Sequence, residues 1–117
     1  MIHDFRGTHI IADLYGISSE RITKHAEISS TVENGIVKAG AHLIKTIVFA
    51  FDNGGFSLVS LLEESHVSIH TYPEFSSMFV DVFTCGKIDA MKIIEQIRLY
   101  FNPERIDLKT INRGFYK

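Results

Sequence analysis

The chain has little of several things. Its 117 residues hold one cysteine, two prolines and no tryptophan. A lone cysteine cannot close an internal disulfide, so packing must hold the fold, and a reducing cytoplasm is the expected location. There is no run of lysines and arginines, and the formal charge is only -2, which argues against nucleic acid as a main partner. No apolar stretch approaches the roughly 20 residues of a membrane helix, so no membrane partner is expected. The opening residues, Met1-Ile2-His3-Asp4-Phe5-Arg6, lack the apolar region of a signal peptide. Linkers, repeats and low-complexity segments are also missing.

What is present suits one domain over residues 1–117. At 45% hydrophobic residues the composition is that of an ordinary globular protein. One modest core is available to a chain this short, and dimerisation would help it.

Residues 8–15 alternate as a strand that stops at Gly16, with His9 and Asp13 sharing a parity. Ser18-Ser19-Glu20 can cap a helical turn over 21–26. Ser29-Ser30-Thr31 can cap a second helix through Val32, Ile36 and Val37, ending at Gly40 and weakened by Gly35. Residues 42–51 are β-branched and aromatic, and Asp52-Asn53-Gly54-Gly55 turns them back as a hairpin onto 56–62. Lys87-Ile88-Asp89 opens the clearest helix, with Met91, Ile94, Ile97, Tyr100 and Phe101 as an apolar stripe for the core. Asn102-Pro103 stops it, and 105–111 reads as a last strand. Strands outnumber helices and connections are short. The fold class is therefore α+β: a two-layer sandwich, its mainly antiparallel sheet covered by helices on one face.

The most informative stretch is 62–86. His66, Ser68 and His70 share one parity, while Val67 and Ile69 share the other. This is a strand with one polar and one apolar face. Tyr72-Pro73-Glu74 breaks it, since Pro73 cannot donate to a ladder, and a second apolar run, 78–83, ends at Thr84-Cys85-Gly86.

Taken singly, Ser65, His70, Cys85, Phe51 and Glu74 are each ordinary strand, core or turn residues. Together, Glu64-Ser65-His66, Ile69-His70-Thr71, Pro73-Glu74 and Phe83-Thr84-Cys85-Gly86 resemble the core signature of the small prokaryotic S-adenosylmethionine decarboxylases. The likeness extends to Gly7-x-His9 and Arg113-Gly114-x-Tyr116. That family is self-processing and pyruvoyl-dependent, with a two-layer α+β fold. The resemblance implies serinolysis between Glu64 and Ser65, giving a β chain of 1–64 and an α chain of 65–117 that begins with a pyruvoyl group made from Ser65. His70 would be the base for the elimination, Ser57 would assist processing, and Cys85 would return a proton to the substrate. Phe51 would stack on adenine and Glu74 would hold the ribose hydroxyls. The implied site is shared in a homodimer, with Ser65 and Cys85 from one subunit and Phe51, Ser57, His70 and Glu74 from the other.

The chemistry is coherent. Amino-acid decarboxylation needs an electron sink, a carbonyl that can form a Schiff base, and side chains supply none. No glycine-rich phosphate cradle beside a lysine offers pyridoxal phosphate an obvious place. The implied activity is therefore decarboxylation of S-adenosylmethionine for spermidine synthesis.

The sequence also departs from the family pattern. Tyr72 stands in place of tryptophan, Phe49 and Ala50 in place of a more polar pair, and Leu58 in place of glycine. Asp52-Asn53-Gly54-Gly55 replaces a proline-containing turn, and Asp13 replaces a glutamate. Several fall near the expected substrate pocket, so arginine or ornithine is the alternative substrate. An unprocessed homologue that only binds is the alternative from another class. A metal is not expected: His66 and His70 lie four residues apart on a strand, with no third ligand obvious. A Cys–His hydrolase fits a chain this short poorly.

Overall fold

The computed structural model describes residues 5–24 and 26–115. Tyr116 of the last motif and His25 of the first helical turn lie outside them. The elements run β1 (Gly7–Tyr15), α1 (Ser19–Ile22), α2 (Ile28–Ala39), β2 (Leu43–Ala50), β3 (Phe56–Leu62), β4 (Ser65–Tyr72), a 3-10 turn (Pro73–Phe75), β5 (Ser77–Cys85), α3 (Ala90–Phe101) and β6 (Arg105–Arg113). The strands form one six-stranded sheet in the order β2-β3-β4-β5-β1-β6, with every neighbouring pair antiparallel.

Alternation along the strands sorts the sheet into two faces. Ile10, Ala12, Leu14, Phe56, Leu58, Val67, Ile69, Met78, Val80 and Val82 point to one face. There they meet Ile28, Val32 and Ile36 of α2 and Ile93, Ile94, Ile97 and Phe101 of α3. This is the expected two-layer arrangement. The other face carries no helix among the described residues. It shows Ile11, Ile47, Phe49, Val59, Leu61 and Phe79 to solvent.

The helices differ from expectation in instructive ways. Ser18 does cap α1, accepting from the Arg21 N–H. Ser29-Ser30-Thr31 do not cap α2, which starts earlier, at Ile28. The hydroxyls of Ser30 and Thr31 instead donate back to the Glu27 carbonyl. Val37 faces solvent at 74% exposure, because the buried stripe runs through Ile28, Val32, Gly35, Ile36 and Ala39. Gly35 has a packing reason: a Cβ there would lie 3.2 Å from the Ile93 Cα. The residue that costs α2 helix propensity lets α2 and α3 approach closely. Gly40 ends α2 in the left-handed conformation, as expected, with φ of 84°.

Candidate functional site

The candidates fall at opposite ends of β4. At its start, β3 and β4 are joined by Glu63-Glu64 alone. Ser65 is the first residue of β4 and lies between Leu62 on one side and Thr84 on the other. The Cys85 N–H donates to the Glu64 carbonyl oxygen at 3.1 Å. The Ser65 Oγ lies 3.6 Å from the Cys85 Sγ. Both groups therefore sit beside the Glu64–Ser65 peptide bond, the one the family resemblance singles out.

Ser65 itself is strained. Its φ is 151°, a region that L residues rarely adopt and that costs on the order of 1–3 kcal/mol. The strain falls on the residue whose nitrogen belongs to the Glu64–Ser65 amide. Next to it, the Thr84 Oγ1 is buried with no hydrogen-bond partner.

The Glu64 side chain is also held. The backbone N–H of His42 donates to Oε1 at 3.0 Å, and the His42 Nδ1 lies 2.7 Å from Oε2. Burial pushes the Glu64 carboxyl up, but the His42 hydrogen bonds outweigh it and hold it below its ordinary value of 4.5. In return, the hydrogen bond to Glu64 raises the His42 imidazole above 6.5.

At the other end of β4, Ser57 and His70 face each other across the β3–β4 ladder. The Ser57 Oγ lies 2.8 Å from the His70 Nδ1. Beyond them, Phe51, Asp52, Asn53, Thr71, Tyr72 and Glu74 line an open cleft of about 380 Å³. The Asn53 side-chain amide donates to Glu74 Oε2 at 2.8 Å. The ring of Phe51 leans on Phe49 at 5.0 Å between centroids, and Tyr72 on Phe79 at 5.2 Å. Of these rings, Phe51 and Tyr72 line the cleft.

The sequence-predicted residues thus form two groups. Glu64, Ser65 and Cys85 make one; Phe51, Ser57, His70, Tyr72 and Glu74 make the other. Ser65 and His70 are five residues apart on β4, roughly 16 Å at the usual strand rise. Within one chain, His70 does not reach Ser65.

Between the groups lies a cluster that parity alone did not reveal. His9 pairs not with Asp13 but with Asp81, its Nε2 2.8 Å from Oδ2. The His66 Nε2 lies 3.0 Å from the same oxygen, and Ser68 donates to Oδ1. Asp13 instead accepts from the Tyr15 hydroxyl. Burial pushes Asp81 up, yet its bonds from Ser68, His9 and His66 prevail and keep it below the usual carboxylate range. His66 therefore belongs with His9 and Asp81, whose ligand atoms lie within 4.8 Å of one another, and not with His70. The signal was available in the Pro73-Glu74 turn, whose hairpin register sets Ser68 opposite Asp81.

The terminal motifs converge on the Cys85 end. Gly7 lies between Cys85 and Arg113 in the ladder. A Cβ on Gly7 would come within 2.6 Å of the Phe83 ring. The Arg113 guanidinium lies over that ring, 4.8 Å from its centroid. Lys87 to Asp89 lead away from the site into α3, which Asp89 caps through the Met91 N–H.

Comparison with known proteins identifies a family and a fold. The family described as S-adenosylmethionine decarboxylase matches residues 8–114. A Sulfurihydrogenibium protein named S-adenosylmethionine decarboxylase proenzyme is 39% identical over 109 residues, covering 92% of this chain and 82% of its own. A protein of the same name from Archaeoglobus fulgidus is 38% identical, over 92% and 97%. The crystal structure of the adenosylmethionine decarboxylase from Aquifex aeolicus superposes with a TM-score of 0.85 at 35% identity, covering all of this chain and 96% of that one.

Proposed function

The chain belongs to the S-adenosylmethionine decarboxylase family, and from that premise we propose that it cuts itself between Glu64 and Ser65 and then decarboxylates S-adenosylmethionine, supplying the decarboxylated product for spermidine synthesis. One observation carries the reading. The Glu64 carbonyl, the Ser65 hydroxyl and the Cys85 thiol converge on a strained residue 65.

Maturation proceeds in balanced steps. The Ser65 Oγ adds to the Glu64 carbonyl carbon, the C–N bond breaks, and the hydroxyl proton ends on the freed amine of residue 65. This is an isomerisation of amide to ester. The Cys85 N–H stabilises the oxygen on which negative charge develops. A base then removes the Cα proton of residue 65. The electron pair forms Cα=Cβ, and Glu64 leaves as a carboxylate. The resulting enamine becomes an imine, water adds, ammonia departs, and a ketone remains. The residues present fit this outcome: a trigonal Cα without a hydrogen removes the cause of the strain at φ 151°.

A pyruvoyl group at residue 65 supplies the electron-accepting carbonyl that loss of CO2 requires. The chain's own side chains do the rest. Cys85 holds a proton on Sγ beside residue 65 and delivers it to the substrate Cα. Phe51 offers a half-exposed ring for adenine. Glu74 offers two carboxylate oxygens to the ribose hydroxyls, with Asn53 fixing one of them. Ser57 orients His70, the base for the elimination.

His70 and Ser65 meet by pairing two copies of the chain. The open face carries the surface for this: Ile47, Phe49 and Leu61 are 60%, 62% and 51% exposed, an apolar area of the kind that marks an interface. Sheet-on-sheet packing about a two-fold axis sets the start of β4 in one copy against the end of β4 in the other. Mass spectrometry of the purified protein tests the whole reading. Chains of 1–64 and 65–117 are expected, the second with a borohydride-reactive carbonyl at residue 65. One intact chain would overturn it. CO2 release compared among S-adenosylmethionine, arginine and ornithine decides the substrate.

A further inference from the structure

We infer that His42 is a positioning residue for the self-cleavage step, acting through Glu64 and not on the reacting atoms. This inference rests on the self-processing reading above. The scissile bond lies at the end of a two-residue turn made of Glu63 and Glu64. His42, just before β2, contacts it four times, once by a longer approach of its Nδ1 to the Glu63 Oε2 at 3.7 Å. Its carbonyl accepts from the Glu63 N–H at 2.9 Å. Its N–H donates to Glu64 Oε1, and its imidazole holds Oε2 at 2.7 Å. From the opposite side, the Cys85 N–H holds the Glu64 main-chain oxygen.

Residue 64 is therefore clamped at both ends, its carboxylate by His42 and its carbonyl by Cys85. A peptide plane pinned in this way cannot swing its carbonyl oxygen off the Cys85 N–H. That orientation is needed when Ser65 Oγ adds to the carbonyl carbon, since a donor helps only where the charge develops. The imidazole is 69% exposed and is absent from the core, so packing does not explain its place. An exposed ion pair of this kind adds little stability. Its consequence is geometric, and it falls on the first step alone, the transfer of the Glu64 acyl group from nitrogen to oxygen.

The test is the rate of self-cleavage of the full chain made by cell-free synthesis, followed by mass spectrometry, with hydroxylamine added to trap ester. His42→Ala is expected to cleave about two- to fivefold more slowly, the size of one exposed ion pair, and to accumulate no ester. His42→Asn, which keeps a donor near the Nδ1 position, is expected to recover most of the rate. Glu64→Gln is expected to slow cleavage too, and the double variant His42→Ala/Glu64→Gln to be no slower than the worse single, as for residues acting as one unit. Wild-type rate in His42→Ala would overturn the inference. So would ester accumulation, which would move the effect to the elimination, or full additivity in the double variant. A wild-type chain that never cleaves would instead refute the self-processing reading, a result distinguishable from all of these.

Discussion

The two ends of β4 are built in different ways. Around Ser65 the groups are short-range, backbone-defined and partly buried: a carbonyl, an amide N–H, a hydroxyl and a thiol, fixed by a turn and a strained φ. Around His70 they are side chains at an open surface: an imidazole aligned by Ser57, a carboxylate aligned by Asn53, and rings lining a cleft. The first end suits bond making at one fixed atom. The second suits the recognition of something that arrives from outside. In the proposed reading neither is a complete site, and the roughly 16 Å of strand between them calls for a second copy of the chain to complete it.

Substitutions sharpen the contrast in order of expected size. Cys85→Ser should lower turnover of the mature enzyme by about 10²–10⁴-fold, the range for a lost general acid. Its effect on substrate KM should be small. Glu74→Gln should do the reverse, raising KM about tenfold or more through the loss of charge-assisted hydrogen bonds to substrate while leaving self-cleavage intact. Steady-state kinetics beside cleavage gels separate the two. If both variants lowered turnover and cleavage equally, the division between the ends would be wrong.

The strain at residue 65 gives a smaller effect. Ser65→Ala and Ser65→Gly should both remain uncleaved. The glycine variant should be more stable by about 1 kcal/mol, because glycine tolerates φ of 151° at little cost. For a domain of this size that is a rise in melting temperature of about 4 °C. Equal melting temperatures would show that the backbone there is relaxed.

The smallest effect is a pH dependence at the Ser65 end. His42 is raised above 6.5 in the folded chain, so its contribution is complete below 6.5 and fades as pH rises through the raised value. Glu64 is lowered from 4.5, so its contribution is complete above 4.5 and fades as pH falls through the lowered value. The contact is therefore whole between about 4.5 and 6.5. An NMR titration of the Ser65→Ala chain should find the His42 ring titrating above 6.5, and Glu64→Gln should return it toward that value.

Much of this was legible in the sequence because its signals are local. Strand alternation in 65–72, the Asp52-Asn53-Gly54-Gly55 hairpin and the stripe in α3 each depend on a few neighbours, and each lies where it was expected. The Glu-Ser-His and Thr-Cys-Gly motifs pointed to one place because the β4–β5 hairpin folds them together, Ser65 opposite Thr84. What escaped depends on partners far along the chain. Gly35 read as a weak point in α2, but it is a contact with α3. His9 read only as a polar residue sharing a strand face with Asp13, while its partner Asp81 is 72 positions away. His42 read as one more residue at the head of a strand. Its role needs β2, β3 and the turn assembled before it exists.

The central claim is that the two ends act together only across two copies of the chain. Co-expression of a tagged His70→Ala chain with a Ser65→Ala chain tests it most directly. Neither is expected to cleave alone, and the His70→Ala chain should stall as a hydroxylamine-sensitive ester. In mixed dimers one composite site joins the intact Ser65 of the first to the intact His70 of the second, so the His70→Ala chain should be cut when the two are made together. If it stayed whole in the mixture, or were cut with no partner present, the shared site would be contradicted.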